Sequence, residues 1–149
     1  GAYSLRPEKG LPVKLNIAAG PRSLDDVQIA LDTFWAGHER VPANVRIEVS
    51  IAAGEIAANI LEHGHASGLQ MEIELHSHEV LVEFTDCGNP AEVDLFAVQM
   101  PDEAAESGRG LPLAQAALRL LAYFRDELGN HWRLVSKAFP SSGRPPADG

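Results

Sequence analysis

Residues 55–63 have the sequence EIAANILEH and lie within a longer segment whose apolar residues follow helical spacing. Residues four apart on a helix share a face, so Glu55, Asn59 and His63 are predicted to form one polar line. Burying such groups is costly unless a partner satisfies them. The line has two interpretations. One is a proton-accepting carboxylate beside a carboxamide that binds Mg²⁺, and the other is a polar stripe facing solvent.

A second polar cluster, Asp86-Cys87-Gly88, follows an apolar strand pattern. Its carboxylate could accept a hydrogen bond from the exocyclic amine of adenine, and Gly88 would let the base lie against the backbone. The same sequence is also typical of an ordinary turn between elements. Cys87 is the single cysteine of the chain, so no internal disulfide can form, and we expect it to be buried as a small apolar side chain.

A third cluster, Gly108-Arg109-Gly110-Leu111, comes directly before a predicted helix. Free backbone N–H groups at a helix start favour phosphate, and Arg109 would add a positive charge. The glycine spacing differs from that of a P-loop, because no Gly-Lys-Ser/Thr sequence follows. A loop that merely joins the helix is the alternative interpretation.

Apolar periodicity predicts about five strands and about three main helices, an α/β (α+β) sandwich with the helices on one face of the sheet. The predicted elements are a strand from Leu11 to Ala18, a helix from an N-cap at Ser23 to about His38, a helix from Pro42 to His63 or His65, a hairpin that turns at 76–78, a short helix at 95–98, a helix from Gly110 to Leu121, and a closing hairpin that turns at Gly129-Asn130.

Composition limits the function classes. The 149 residues suit one domain, predicted at 11–139 between a lead-in at 1–10 and a disordered tail at 140–149. Lys and Arg number 12 against 21 Asp and Glu, and the net charge of −9 argues against direct nucleic-acid binding. No apolar run approaches the roughly 20 residues that span a bilayer, and no secretory signal is visible. We therefore expect a cytoplasmic protein with no membrane partner.

In this order, the three clusters resemble the motifs of the GHKL ATPase superfamily, whose Bergerat fold contains a mixed β-sheet. The resemblance covers about residues 11–138 and is closest to the short bacterial anti-sigma-factor serine-protein kinases. Residues 55–63 resemble the N box, in which the glutamate is the base and the asparagine binds magnesium. Residues 86–88 resemble the G1 box, with the aspartate on adenine. Residues 108–111 resemble the G2 box, and the ATP lid falls at about 91–107.

This resemblance implies ATP and Mg²⁺ as cofactors and Glu55 as the catalytic base. It also implies the cofactor-binding residues Asn59, which holds Mg²⁺, His63, Asp86, Gly88, Gly108, Arg109, Gly110 and Leu111. The implied function is a serine/threonine-protein kinase that phosphorylates an antagonist protein, sequesters a sigma factor and forms a homodimer. Pro90 and Arg119 depart from the common family pattern, in which glycine and an acidic residue stand at these positions.

Three other functions stay open from the sequence. One is a nucleotide-gated protein-binding module without turnover, in which ATP orders residues 91–107 and so creates or removes a partner surface. The second is the catalytic ATPase domain of a sensor histidine kinase. The third is a structural protein with no ligand.

Overall fold

The computed structural model of the protein describes residues 12–91 and 110–140, which form one layer of helices on a five-stranded sheet. The elements are β1 (Val13–Ala18), α1 (Ser23–Ala36), α2 (Ala43–Ala58), a π-helical turn (Asn59–His63), β2 (Gly68–Leu75), β3 (Val80–Asp86), α3 (Gly110–Ala117), β4 (Leu120–Asp126) and β5 (Gly129–Val135). The strand order is β1-β2-β3-β5-β4. The predicted α+β sandwich is confirmed.

Every pairing between the described strands is antiparallel, where the family resemblance implies a mixed sheet. The reason lies in the connections. Both β2–β3 and β4–β5 are hairpins, and strands joined by a tight turn must run in opposite directions. The two hairpins then meet through β3 and β5, where Phe84 pairs with Trp132.

The core lies between the sheet and the helices. Alternation along β2 and β3 turns every second side chain toward α1 and α2, as the sequence pattern predicts. Met71, Ile73, Val82 and Phe84 are fully buried there, with Trp132 from β5 beside them. Burial of each such side chain contributes about 1.5–3 kcal/mol. The apolar face therefore fixes the register that carries the polar residues at the strand ends.

The start and end of α1 differ from the prediction. Arg22, not Ser23, occupies the N-cap position, and no side chain caps the helix. Ser23 is the first helical residue, and its hydroxyl instead donates to the Gly20 carbonyl oxygen at 2.6 Å, which closes the turn before the helix. The helix ends at Ala36, two residues before the predicted end at His38.

The other helices also differ at their ends. Pro42 has extended backbone angles and precedes α2, which begins at Ala43. The third helix ends at Ala117, and Leu121 instead lies in β4, where pairing with Leu134 supplies its backbone hydrogen bonds. Among the described helices, none is long and apolar enough to cross a membrane. The predicted lead-in at 1–10, the short helix at 95–98 and residues 141–149 of the predicted tail lie outside the described residues.

Candidate functional site

Glu55 and Asn59 lie one turn apart at the carboxyl end of α2. The Asn59 backbone N–H donates to the carbonyl oxygens of Glu55 and Ile56, so the α-helical geometry between them is intact. Both side chains are half-buried. Among the described residues, neither side chain makes a hydrogen bond or ion pair. An adjacent carboxylate and carboxamide are thus partly shielded from water, and no residue of the described ranges occupies their polar atoms.

His63, the third residue of the predicted polar line, lies beyond the end of α2. Residues 59–63 form a π-helical turn, in which the Gly64 N–H donates to the Asn59 carbonyl oxygen at 3.2 Å, five residues back. A π turn contains more residues than an α turn, so the α-helical spacing that the polar line assumes does not apply beyond Asn59. His63 is exposed. Its place on the face of Glu55 and Asn59 and its contact with a cofactor both stay predictions.

The first two clusters meet through Gly64. Its carbonyl oxygen accepts the N–H of Asn89 at 2.8 Å. A Cβ atom on Gly88 would lie 2.6 Å from the same oxygen, so only glycine fits at this position without a shift of the backbone. The turn that follows β3 therefore packs directly against the end of the π turn that begins at Asn59. Gly64 and Asn89, 25 residues apart in sequence, are thus in backbone contact, while convergence of the predicted site side chains stays a prediction.

Asp86 ends β3 on the helix-covered face and is only 5% exposed. Its Oδ1 accepts hydrogen bonds from the Gly88 N–H at 2.8 Å and from Asn130 Nδ2 at 2.9 Å. Its Oδ2 is buried and has no hydrogen-bond partner among the described residues. Buried polar atoms rarely lack a partner, and each case calls for an explanation. A ligand amine that donates to Oδ2, such as the exocyclic amine of adenine, would satisfy it.

Cys87 is exposed, and the prediction that it is buried is wrong. The residue lies just after β3, where the chain turns away from the core. Its Sγ is 3.7 Å from the Leu128 carbonyl oxygen, which lies in the β4–β5 turn. The strand alternation that buries residue 86 places residue 87 on the opposite side.

The sequence motifs assigned no role in the site to Asn130. The residue is buried, and it pairs directly with Asp86 across β3 and β5. Its Nδ2 also lies 3.2 Å from the Gly88 carbonyl oxygen and 3.0 Å from that of Asn89. The preceding Gly129 has a φ of +122°, and a side chain there would collide with the Asp86 carbonyl oxygen. The available signal was the Gly129-Asn130 sequence, but its predicted place in the hairpin turn is wrong, because both residues begin β5 and the turn lies at 127–128.

The third cluster is partly described. Gly108 and Arg109 lie outside the described residues, so their proposed phosphate contacts stay predictions. Helix α3 begins at Gly110, as the sequence predicts, and packs against α2. Leu111 is buried in the core and anchors the first turn of α3. Its contact with a nucleotide stays a prediction.

Comparison with protein-family models matches residues 17–136 to the histidine kinase-like ATPase domain. Because the match spans most of the chain, the protein belongs to this family of the GHKL superfamily. Membership supports an ATP-binding function. No curated protein matches the chain significantly in sequence. The finer likeness to anti-sigma-factor kinases stays a prediction.

Proposed function

We propose that this protein is an ATP-dependent serine/threonine-protein kinase of the anti-sigma-factor type. It phosphorylates an antagonist protein and, when the antagonist is absent, sequesters a sigma factor. The observation that carries the proposal is the pair Glu55 and Asn59, half-buried and without a side-chain partner in residues 12–91 and 110–140, at a helix end that contacts the turn after Asp86. The sequence supplies a base, a metal ligand and an adenine acceptor within one connected region.

In this proposal, each site residue contacts a different part of the nucleotide. Asp86 Oδ2 accepts the adenine amine, because it is the buried oxygen that has no partner among the described residues. The Asn59 carboxamide oxygen suits Mg²⁺, which prefers oxygen ligands and commonly takes only one or two from protein. Mg²⁺, when bound, neutralises charge on the phosphates. By the family resemblance, the backbone near Gly108 and Gly110 and the Arg109 side chain hold the phosphate oxygens.

The proposed reaction transfers the terminal phosphoryl group of ATP to a protein hydroxyl. The hydroxyl oxygen forms a bond to the γ-phosphorus while the bond from that phosphorus to the β–γ bridging oxygen breaks, and ADP leaves. Glu55 accepts the hydroxyl proton. Because phosphoryl transfer depends mainly on positioning and charge stabilisation, the partly shielded setting of Glu55 suits this role.

The test is transfer of label from γ-labelled ATP to candidate antagonist proteins. We expect transfer by the wild type and a loss of about 10²–10⁴-fold in Glu55→Ala, the usual contribution of a general base. Glu62→Ala is the matched control, because Glu62 is an exposed carboxylate in the π turn seven residues further on. No transfer to any cognate antagonist would refute the kinase, and equal rates in wild type and Glu55→Ala would refute the base.

The metal contact has its own test. We expect Asn59→Ala to abolish the gain in ATP affinity that Mg²⁺ gives, measured by calorimetry with and without the metal. Asn44→Ala is the control, since Asn44 is an exposed asparagine in the first turn of the same helix. An unchanged magnesium dependence in Asn59→Ala would remove this residue from the metal site.

The partners follow from the same proposal. A sigma factor and its antagonist are protein partners, and a net charge of −9 suits a basic contact surface on one of them. A homodimer is proposed on the family resemblance and is checked by sedimentation. If ATP and ADP change the partner's affinity but no label is transferred, a nucleotide-gated binding module replaces the kinase as the function.

A further inference from the structure

We infer that Asn130 is a positioning residue for the nucleotide base, and that Tyr123 fixes the orientation of Asn130. Asn130 holds the Asp86 carboxylate so that one oxygen, Oδ2, faces a ligand amine. The inference rests on the proposed nucleotide binding at Asp86. It adds a named pair of side chains that create the specificity for a 6-amino purine.

The hydrogen-bond donors of Asn130 are the first support for this inference. The Asn130 carboxamide has two N–H donors. Three acceptors surround Nδ2: Asp86 Oδ1 at 2.9 Å, the Asn89 carbonyl oxygen at 3.0 Å and the Gly88 carbonyl oxygen at 3.2 Å. All donor capacity of the side chain is therefore directed at the carboxylate and at the turn behind it. Asn130 presents no donor of its own to a bound base.

The second support is the set of donors around the other end of the carboxamide. Asn130 Oδ1 accepts the Tyr123 hydroxyl at 2.6 Å and Arg125 Nη1 at 2.9 Å. A flipped carboxamide would point N–H groups at the Arg125 donor and a carbonyl oxygen at the Asp86 carboxylate. Both contacts would be repulsive, so the two donors determine the orientation of Asn130.

Tyr123 is the stronger of the two orienting groups. Its hydroxyl oxygen accepts the Ala91 N–H at 2.9 Å while its proton goes to Asn130, so both functions of the hydroxyl are used. Its ring packs against buried Trp132, with ring centres 4.6 Å apart. Arg125 is exposed, and solvent weakens its contact. The hydrogen-bonded chain therefore runs from Tyr123 through Asn130 to Asp86.

The consequence concerns the free carboxylate oxygen. With Asn130 in place, Oδ1 is held by two donors, the Gly88 N–H and Asn130 Nδ2. Oδ2 then stays in one position, and a ligand amine meets an acceptor that needs no reorganisation. Without Asn130, one backbone N–H remains and the carboxylate can rotate. Binding of the ligand amine must then order the Asp86 carboxylate. The entropic cost of this ordering lowers the affinity for a ligand that carries the amine.

The experiment is a binding cycle with two ligands and the full chain. ADP carries the 6-amino group, and purine riboside 5′-diphosphate lacks it. Affinities are measured by calorimetry for the wild type, Asn130→Ala and Tyr123→Phe. Thr85→Val is the control, because Thr85 adjoins Asp86 but its hydroxyl lies on the opposite face of the sheet, 3.5 Å from His131 Nδ1.

We expect the wild type to prefer ADP by about 10- to 150-fold, the range for one hydrogen bond to a charged group. The preference should fall by about tenfold in Asn130→Ala and by about threefold in Tyr123→Phe, through weaker ADP binding alone. Thr85→Val should keep the wild-type preference. A role that is only structural would lower the affinities for both ligands together.

Other results of the binding measurements would overturn either this inference or the proposed function. Equal losses for both ligands, or an unchanged preference in folded Asn130→Ala, would overturn the inference. If circular dichroism shows that Asn130→Ala is unfolded, Tyr123→Phe decides, because it keeps the ring against Trp132. A wild type that binds ADP without preferring it would overturn the inference but leave nucleotide binding standing. A wild type that binds neither ligand would refute the proposed function itself.

Discussion

Two cross-strand pairs on the same strands have opposite characters. Asp86 pairs with Asn130 and Glu83 pairs with Arg133, both across β3 and β5. The first pair is buried on the helix-covered face, and one carboxylate oxygen has no partner among the described residues. The second lies on the open face, where Arg133 and Glu83 form an ion pair at 2.7 Å with side chains 54% and 32% exposed.

The difference supports the proposal that the buried Asp86–Asn130 pair meets a ligand. An exposed ion pair contributes about 0–1 kcal/mol, and its atoms are satisfied by each other and by water. A buried carboxylate oxygen without a partner lowers stability instead. At the end of β3, the proposed contact of a ligand amine with Asp86 Oδ2 would remove this cost. The two pairs differ by three residues in sequence and by one face of the sheet.

We expect the largest effect from Gly129→Ala, which would disrupt the buried Asp86–Asn130 pair. Gly129 has a φ of +122°, and an added Cβ would collide with the Asp86 carbonyl oxygen. We expect a loss of about 3 kcal/mol or more in the free energy of unfolding, from strain and the displaced strand end. Urea unfolding measures it. Gly20→Ala is the control, because a Cβ there meets nothing within 4 Å. Equal stabilities of the two variants would contradict the close approach.

The next effect concerns binding. Asp86→Asn preserves the shape of the side chain but replaces one carboxylate oxygen with an NH₂ group and removes the charge. We expect ADP affinity to fall by about 10- to 150-fold, measured by calorimetry. Asp32→Asn is the control, since Asp32 is an exposed carboxylate on α1. Wild-type affinity in Asp86→Asn would remove the adenine contact from this pocket.

We expect a smaller effect, on the free energy of unfolding, from Glu72 on the open face of the sheet. Burial, followed by a hydrogen bond with Glu74, raises the pKa of Glu72 above its ordinary 4.5, and Glu83 stands directly opposite. Between pH 4.5 and the raised pKa the folded state binds more protons than the unfolded state, so this group lowers stability as pH rises through that window. Glu72→Gln should therefore stabilise the protein at pH 7 by about 0.2–1 kcal/mol.

Thermal unfolding at several pH values tests this prediction. The advantage of Glu72→Gln should shrink as the pH falls toward 4.5, because the wild-type carboxylate is then protonated too. Glu62→Gln is the control, since Glu62 is an exposed carboxylate in the π turn. An advantage that grows toward acid pH would show that the sign is wrong.

The two pairs also show what sequence can predict. Local pattern located β2 and β3, because alternation of apolar side chains decides which face is buried, and so it placed Asp86 at a strand end. The partner of Asp86 depends on how two hairpins align, and no local pattern contains that register. Asn130 was for this reason recognised only as part of a turn, while the structure makes it a contact of the carboxylate.

Features that depend on backbone hydrogen bonding also could not be predicted from the sequence. The π turn after Asn59 shifts one hydrogen bond by one residue, and the sequence spacing of Glu55, Asn59 and His63 fits an unbroken α-helix equally well. The end of α3 is similar. Leu118 and Leu121 have a spacing that suits a helix, yet pairing with β5 draws Leu121 into a strand. In the second case a tertiary contact, the pairing of β4 with β5, overrides the local helical pattern.

The smallest expected effect is on the exposed pair. Arg133→Ala removes the ion pair with Glu83, and we expect the free energy of unfolding to fall by less than about 1 kcal/mol. ADP affinity should stay within about twofold of wild type, since the Arg133 side chain lies on the face opposite Asp86. Calorimetry and urea unfolding measure the two quantities. A tenfold loss of ADP affinity in Arg133→Ala would mean that both faces of the sheet act on the ligand, and burial would no longer separate the two pairs.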